Sequence, residues 1–260
     1  MTRATMNKPT IAEVKAYLKT ATSLTDPQVM AWAADERKGV QTALNQFKKR
    51  LERQAAAQAA FDQRFTYERQ LWAAGHQYVA GMDEVGRGPL AGPVVTCAVI
   101  LDESFDLIGV TDSKQLSASE RERLYLKIVD EAIEVQLAVN DAPVIDDLNI
   151  YAATQDAMMR TIKQFKHQPT HLIVDAVPLP FDYPQTTLIK GDQKSISVAA
   201  ASIVAKEYRD HLMATYDQLY PEYGFKQNAG YGTKQHLAAL AEYGVTPIHR
   251  RTFAPVPKYL

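Results

Sequence analysis

In the run Ala80-Gly81-Met82-Asp83-Glu84-Val85, two adjacent carboxylates stand inside an otherwise apolar, strand-like stretch. Aspartate suits strands poorly and an isolated buried charge is costly, so something must neutralise the pair. His171-Leu172-Ile173-Val174-Asp175 has the same form, a β-branched strand ending in an acid, and Asp192 follows in Ile189-Lys190-Gly191-Asp192 just past the next predicted strand. Acids at the ends of neighbouring strands converge on one point, and their hard oxygens are the ligands that Mg²⁺ or Mn²⁺ prefers. Taken singly, each acid reads better as a helix cap, a turn or half of an ion pair. Taken together, Asp83, Glu84 and Asp175 interrupt apolar strands with no basic residue interrupting a facing one, which makes metal the simplest partner. Two metals held by shared carboxylates activate a water and stabilise the leaving oxygen of an in-line attack on a phosphodiester. The six histidines, at 76, 167, 171, 211, 236 and 249, show no metal-ligand spacing, and neither a GxSxG elbow nor a Walker loop is present.

Gly86-Arg87-Gly88 follows the acid pair directly. It reads either as a plain tight turn or as a loop whose main chain approaches a ligand closely enough to sense a sugar 2′-hydroxyl, the group that separates RNA from DNA. Past Asp192, Ser195, Ser202, Lys206 and Arg209 fall on one side of a helix whose other side carries Ile196, Ala200, Ile203 and Val204. That polar stripe is either a solvated face or a groove wall placing Lys206 and Arg209 on phosphates. Lys114, on the loop Thr111-Asp112-Ser113-Lys114, is a further phosphate contact. Tyr231, between Gly230 and Gly232, is either a core tyrosine or a ring free to stack on a sugar or base.

The elements that must position these groups begin near residue 78. Strands are predicted at 78–85, 92–101, 133–139, 171–175 and 186–190, with amphipathic helices near 117–131, 147–166, 195–219 and 233–243. The Gly/Pro-rich turn between the first two strands predicts an antiparallel pair, and the later alternation with helices predicts parallel additions. Residues 1–77 read as an all-α extension. Thr10 to Glu13 has capping-box spacing, Asp26-Pro27 starts a second helix, and Gly39 marks a break before a long third helix carrying Val40, Leu44, Phe47, Leu51, Phe61 and Phe65. Its tract KKRLER (48–53) is either a DNA-facing patch or a solvated face.

The composition, 46% hydrophobic and 23% charged, is that of an ordinary globular protein and excludes wholesale disorder. Net charge is −1, but residues 1–80 carry 12 Lys and Arg against 7 Asp and Glu, leaving 17 against 23 for the rest. An acidic domain that handles a polyanion needs metal ions, a local basic groove, or both. No apolar run approaches the ~20 residues of a membrane span and MTRATMNKPT lacks a signal-peptide core, which predicts a cytoplasmic protein with no membrane partner. The single Cys97, in VVTCAVIL, reads as a small buried side chain. A monomer is expected, since no exposed apolar stripe is demonstrable outside the extension.

At DEVGRGPLAGPVV (83–95) the sequence resembles the bacterial ribonuclease HII family. The resemblance continues through VTDSKQLS (110–117), LIVDA (172–176), IKGDQKSISVAAASIVAKEYRD (189–210), GYGTKQH (230–236) and HRRTFAPV (249–256), covering roughly residues 78–257. It implies an α/β ribonuclease H-like mixed sheet flanked by helices over 78–260. It also implies an Mg²⁺ or Mn²⁺ two-metal site on Asp83, Glu84, Asp175 and Asp192, with Gly86, Arg87 and Gly88 sensing the hydroxyl and Tyr231 stacking. The implied activity is endonucleolytic hydrolysis of the RNA strand of RNA–DNA hybrids and incision 5′ of ribonucleotides embedded in duplex DNA, leaving 3′-hydroxyl and 5′-phosphate ends. The implied role is replication clean-up and ribonucleotide excision repair. Residues 1–77 resemble the helical extension of some Gram-positive members. Two alternatives stand beside this: a ribonuclease HIII-like hybrid nuclease, against which Arg87 and the helical extension argue, and an inactive nucleic-acid-binding protein, against which the four intact acids argue.

Overall fold

The computed structural model describes residues 8–180 and 182–260. By contacts the chain divides after Ala60 into two compact units. The first contains α1 (Ile11–Thr20), α2 (Pro27–Ala33) and most of α3 (Lys38–Arg64). The expected caps form: Thr10 Oγ1 accepts from Glu13 N while Glu13 Oε2 accepts from Thr10 N, and Asp26 Oδ1 accepts from Gln28 N and Val29 N. Val14, Leu18, Val29, Trp32, Val40, Ala43 and Phe47 make this unit's core. Gly39 is not a break, since α3 already starts at Lys38. Within KKRLER, the Arg50 guanidinium donates to the carbonyls of Leu18, Lys19 and Ala21, satisfying groups that the end of α1 leaves open. The patch reading of that tract therefore loses one of its cations to structure.

The second unit opens with the last turn of α3 and with α4 (Thr66–Ala73), followed by β1 (Val79–Val85), β2 (Val94–Ile100), α5 (Ala118–Glu131), β3 (Glu134–Asn140), α6 (Ala142–Leu148), α7 (Ile150–Lys163), β4 (His171–Asp175), β5 (Gln185–Leu188), α8 (Ile196–Leu219), α9 (Phe225–Asn228) and α10 (Lys234–Tyr243). The contact division lies upstream of the expected boundary at 77 and 78, because Phe61 and Phe65 pack with the sheet rather than with α1 and α2. Helix 147–166 is in fact two helices. Asn149 has φ +66° and turns the chain between α6 and α7, while its side chain accepts from Tyr151 N and Ala152 N to cap α7. The fifth strand stops at Leu188, short of the expected 190, because Lys190 is left-handed at φ +56°.

The sheet order is β3-β2-β1-β4-β5, with β1–β2 and β2–β3 antiparallel and β1–β4 and β4–β5 parallel. This is the expected mixed sheet. Its two faces follow from side-chain alternation. Val95, Cys97 and Val99 of β2 pack against Ala199, Ala200, Ile203 and Val204 of α8, with Leu124 and Ile128 of α5 and with Phe61 and Phe65. Ala98 and Ile100 point the other way, joining Ala80, Met82, Leu172 and Val174 over Met158 and Ile162 of α7. Loss of one buried phenylalanine costs about 3–5 kcal/mol, so Phe61 and Phe65 bind the end of α3 firmly into this layer.

Candidate active site

Alternation also aims the acids. Ala80 and Met82 face α7, so Gly81 and Asp83 face α8; likewise Leu172 and Val174 face α7, so Ile173 and Asp175 face α8. The parallel register pairs Gly81 with Ile173 and Met82 with Val174, and its continuation sets Asp83 level with Asp175. Asp192 arrives on a 3-10 turn, Gly191–Gln193, between β5 and α8. That turn is tied to β4, because Gly191 N donates to Asp175 Oδ1 over 2.7 Å. Asp83, Asp175 and Asp192 thus line one cleft of about 180 Å³, and Glu84, which alternation alone would turn towards α7, also borders it near the end of β1, together with Lys114, Lys206, Arg209 and Tyr231.

The acids destabilise one another as anions. Burial raises Asp83 well above the usual carboxylate range, and the charges of Glu84 and Asp175 raise it further. Burial also raises Glu84, and the Arg87 guanidinium, 3.3 Å from Oε1, opposes this only in part. Glu84 Oε2 is buried with no hydrogen-bond partner. Asp192 is pushed up to about 6 by burial, then by Asp112 and Asp175. A bound cation removes the repulsion and supplies the missing partner, and an all-oxygen donor set fits Mg²⁺ or Mn²⁺.

Asp112 was missed in the sequence. Burial would raise it, but hydrogen bonds from Lys114 N (3.0 Å) and from the side chains of Gln115 and Gln193 (both 3.4 Å) outweigh that and hold it below the usual range. It is therefore an ionised neighbour of Asp192. Its one signal was an acid two residues before Lys114, which is also how an ordinary turn begins.

The two glycine loops meet beside the acids. Gly86 has φ +91°, and a Cβ there would lie 2.3 Å from Arg209 Nε, so no other residue fits. Gly88 lies against the Tyr231 ring: a Cβ would stand 3.4 Å from it. Arg250 donates to the carbonyls of Gly86, Arg87 and Gly92, and Leu90 N donates to Gly230 O, stitching one loop to the other. Tyr231 itself is 53% exposed, so the core-tyrosine alternative fails. Its carbonyl accepts from His236 Nδ1 at 2.9 Å, which leaves His236 Nε2 to accept from His249 Nε2; His249 Nδ1 in turn accepts from Thr246 N. Both imidazoles are thereby neutral supports of the tyrosine loop, and burial lowers both.

The polar stripe of α8 needs correction. Arg209 is 1% exposed, and its three guanidinium nitrogens donate to Pro93 O, Ala229 O and Ala91 O at 2.9, 2.9 and 3.2 Å. It lines the cleft, but three of its five N–H donors hold the loops. Ser195 and Ser202 are buried too. Lys206 is partly exposed and pairs with Asp210 one turn on. Lys114 is exposed at the cleft. Outside the cleft, Glu122, Glu207 and His211 bring ligand atoms within 4.8 Å of one another, but Arg121 already occupies Glu207.

Comparison with known proteins agrees with this geometry. The family model described as Ribonuclease HII matches residues 80–256, and that of the Ribonuclease HII N-terminal domain matches residues 10–72. The ribonuclease HII of Limosilactobacillus reuteri is 70% identical over 255 residues, 98% of this chain and 100% of the relative. That of Limosilactobacillus fermentum is 70% identical over the same shares. Among solved structures, the ribonuclease H2 of Pyrococcus horikoshii is similar with a TM-score of 0.62 and 29% identity, covering 70% of this chain and 97% of that one.

Proposed function

The chain belongs to the ribonuclease HII family, and from that premise we propose that it is a divalent-metal-dependent endonuclease that hydrolyses the RNA strand of RNA–DNA hybrids and incises 5′ of ribonucleotides embedded in duplex DNA. The observation that carries the reading is the cleft in which Asp83, Glu84, Asp175 and Asp192 converge beside the two glycine loops, with a buried Glu84 oxygen left unpartnered.

Asp83, Glu84, Asp175 and Asp192 would hold two Mg²⁺ or Mn²⁺ ions. Such ions would supply an activated water and charge stabilisation for the leaving 3′-oxygen, consistent with 3′-hydroxyl and 5′-phosphate ends. The protein's own contribution is placement. Gly191 N fixes the Asp175 carboxylate, and Arg250 fixes the carbonyls of Gly86 and Arg87, so the main chain from Gly86 to Gly88 is set to meet a 2′-hydroxyl. Tyr231, flush with Gly88, stacks on the sugar or base at the cut. Lys114, and Lys206 on exchanging Asp210 for a phosphate, position the backbone. Arg209 supports both loops from beneath.

Residues 78–260 form the catalytic domain in this reading and residues 1–77 the helical extension. The protein acts in the cytoplasm as a monomer, in replication clean-up and ribonucleotide excision repair. Among the described residues no helix is long and apolar enough to cross a membrane.

The test is a nicking assay on a duplex with one embedded ribonucleotide, beside an all-DNA duplex and a long hybrid. Mg²⁺- or Mn²⁺-dependent incision 5′ of the ribonucleotide, abolished by chelation, is expected. Cleavage of the long hybrid alone would indicate a ribonuclease HIII-like specificity, and binding without cleavage would indicate an inactive binding protein.

A further inference from the structure

Glu68 lies on α4, ahead of every acid of the cleft, and is fully buried. Its Oε1 accepts hydrogen bonds from Ser195 Oγ, from Ser197 Oγ (2.6 Å) and from Ser197 N (3.1 Å), while Oε2 is buried without a partner. A carboxylate set among the open amides of a 24-residue helix is favoured by the helix dipole, yet full burial with one oxygen unpaired is expensive. Fold stability alone is poorly served by such a group, since an apolar residue beside Tyr67, Leu71 and Trp72 would avoid the penalty.

The bonds from Glu68 lead directly to the cleft. Ser195 Oγ donates to Glu68 and accepts from Val198 N (3.2 Å), Ser195 N donates to Gly191 O (2.8 Å), and Gly191 N donates to Asp175 Oδ1 (2.7 Å). Asp192 is the first of the three residues between the tied points Gly191 and Ser195. The same helix end rests on β1 without space to shift, because a Cβ at Gly81, two residues before Asp83, would lie 2.2 Å from the Ser197 carbonyl carbon and the Val198 nitrogen. Rotating or lifting the first turn of α8 therefore moves Asp192, loosens Asp175 and releases the strand that carries Asp83.

We propose that Glu68 is a positioning residue for the acid cluster: through Ser195 and Ser197 it fixes the start of α8, and with it the geometry in which Asp175 and Asp192 receive metal. The inference rests on the metal-site reading above, and it gives the segment preceding the catalytic domain a part in the chemistry.

The test uses the full-length chain with Glu68→Ala, Glu68→Gln, Ser195→Ala and the double variant Glu68→Ala/Ser195→Ala. Mn²⁺ binding is read by calorimetry without substrate, and kcat and KM are read on the single-ribonucleotide duplex. Glu68→Ala is expected to weaken Mn²⁺ binding and lower kcat by about 10-fold, the low end of what losing a group bonded directly to a metal ligand costs, because Glu68 acts through Ser195 and Gly191; KM for the duplex should change little. Glu68→Gln keeps an accepting oxygen and should recover most of both. Adding Ser195→Ala to Glu68→Ala should cost little more, since both act through one contact. Wild-type Mn²⁺ affinity and kcat in Glu68→Ala would overturn the inference, whatever its melting temperature, because packing alone would then explain the contact. Should Glu68→Ala fail to fold, Ser195→Ala decides, because it removes the donor and leaves the acid in place; wild-type Mn²⁺ affinity and kcat in that variant would count against the coupling. A wild-type protein that binds Mn²⁺ but does not cut would sink the nuclease reading and still leave the Glu68 effect on affinity measurable.

Discussion

The two walls of the cleft treat charge in opposite ways. On the carboxylate wall, burial raises Asp83, Glu84 and Asp192, the charge of Asp175 adds to all three, and a buried Glu84 oxygen has no partner. On the loop wall, the buried cations Arg209 and Arg250 donate to main-chain carbonyls, and the His236–His249 pair is internally satisfied. The first wall lacks partners for its charge, whereas Arg209, Arg250 and the histidine pair of the second have theirs, although Arg87 Nε in the loop itself is buried without one. Incompleteness marks where a ligand is required, whereas a satisfied buried network marks scaffold, however suggestive its residue types.

The sharpest way to break this contrast is to remove one acid. Asp83→Asn or Asp175→Asn should lower cleavage by at least about 1,000-fold through loss of metal, while metal-free stability holds or rises as repulsion is relieved. Near-normal turnover by either variant would falsify the metal assignment. On the opposite wall, Arg250→Met strips donors from the carbonyls of Gly86, Arg87 and Gly92 and should cost about 3–5 kcal/mol of stability, read as a lower urea midpoint. An unchanged midpoint would mean that the loop does not depend on its cation.

The pH response sharpens the comparison because its sign differs between the walls. His249 is held down to about 4, against 6.5 when unfolded, by burial and by His236. Its neutral ring contributes roughly 2–3 kcal/mol that is fully present above pH 6.5 and lost as pH falls towards 4. Asp192, raised from 3.8 to about 6, contributes to the metal-free fold below pH 3.8 and loses that contribution as pH rises through 6. Ring-proton NMR should show His249 titrating near 4; a midpoint near 6.5 would make it a solvated residue.

Smaller effects are expected where the loop wall meets substrate and in the extension. Tyr231→Ala should reduce kcat by an amount equivalent to ~1–3 kcal/mol while leaving most of the duplex affinity, and equal loss in both would point to a structural tyrosine. Removing residues 1–60 should leave cutting detectable and reduce the salt dependence of binding by about one unit of slope or less. Truncation at residue 76 is a different experiment, for it also takes away Phe61, Phe65 and Glu68. An unchanged salt slope in the shorter truncation would show that the first helices do not meet nucleic acid.

What the sequence made legible follows the same division. Asp83, Glu84 and Asp175 were readable because each breaks an apolar, β-branched run, a local conflict visible without any fold. The sheet and the long helices were readable from period. Arg209 was misjudged because a helical wheel gives direction and not reach: its side chain passes under both loops to carbonyls more than a hundred residues away in sequence, at Ala91 and Pro93. Arg250 and His249, near the chain end, carry no local sign of their partners at Gly86 and His236. Glu68, on a short helix, carries no local sign of its partners at Ser195 and Ser197. Asn149 divided a helix that hydrophobic spacing ran straight through, since φ +66° leaves no trace in a pattern of apolar residues.

Cys97 sits in the middle of β2, directly opposite Asp83 in the antiparallel register, and is completely buried. Burial raises its thiol far above the ordinary range, so the native protein offers almost no thiolate to an alkylating reagent. Being the chain's single cysteine, it has no competitor for label. Its alkylation rate therefore counts how often the centre of the sheet parts to solvent. Because β2 borders the strand of the acid pair, cation binding that tightens that strand should slow labelling at Cys97, which turns the enzyme's own sulfur into a clock for the opening of its catalytic core.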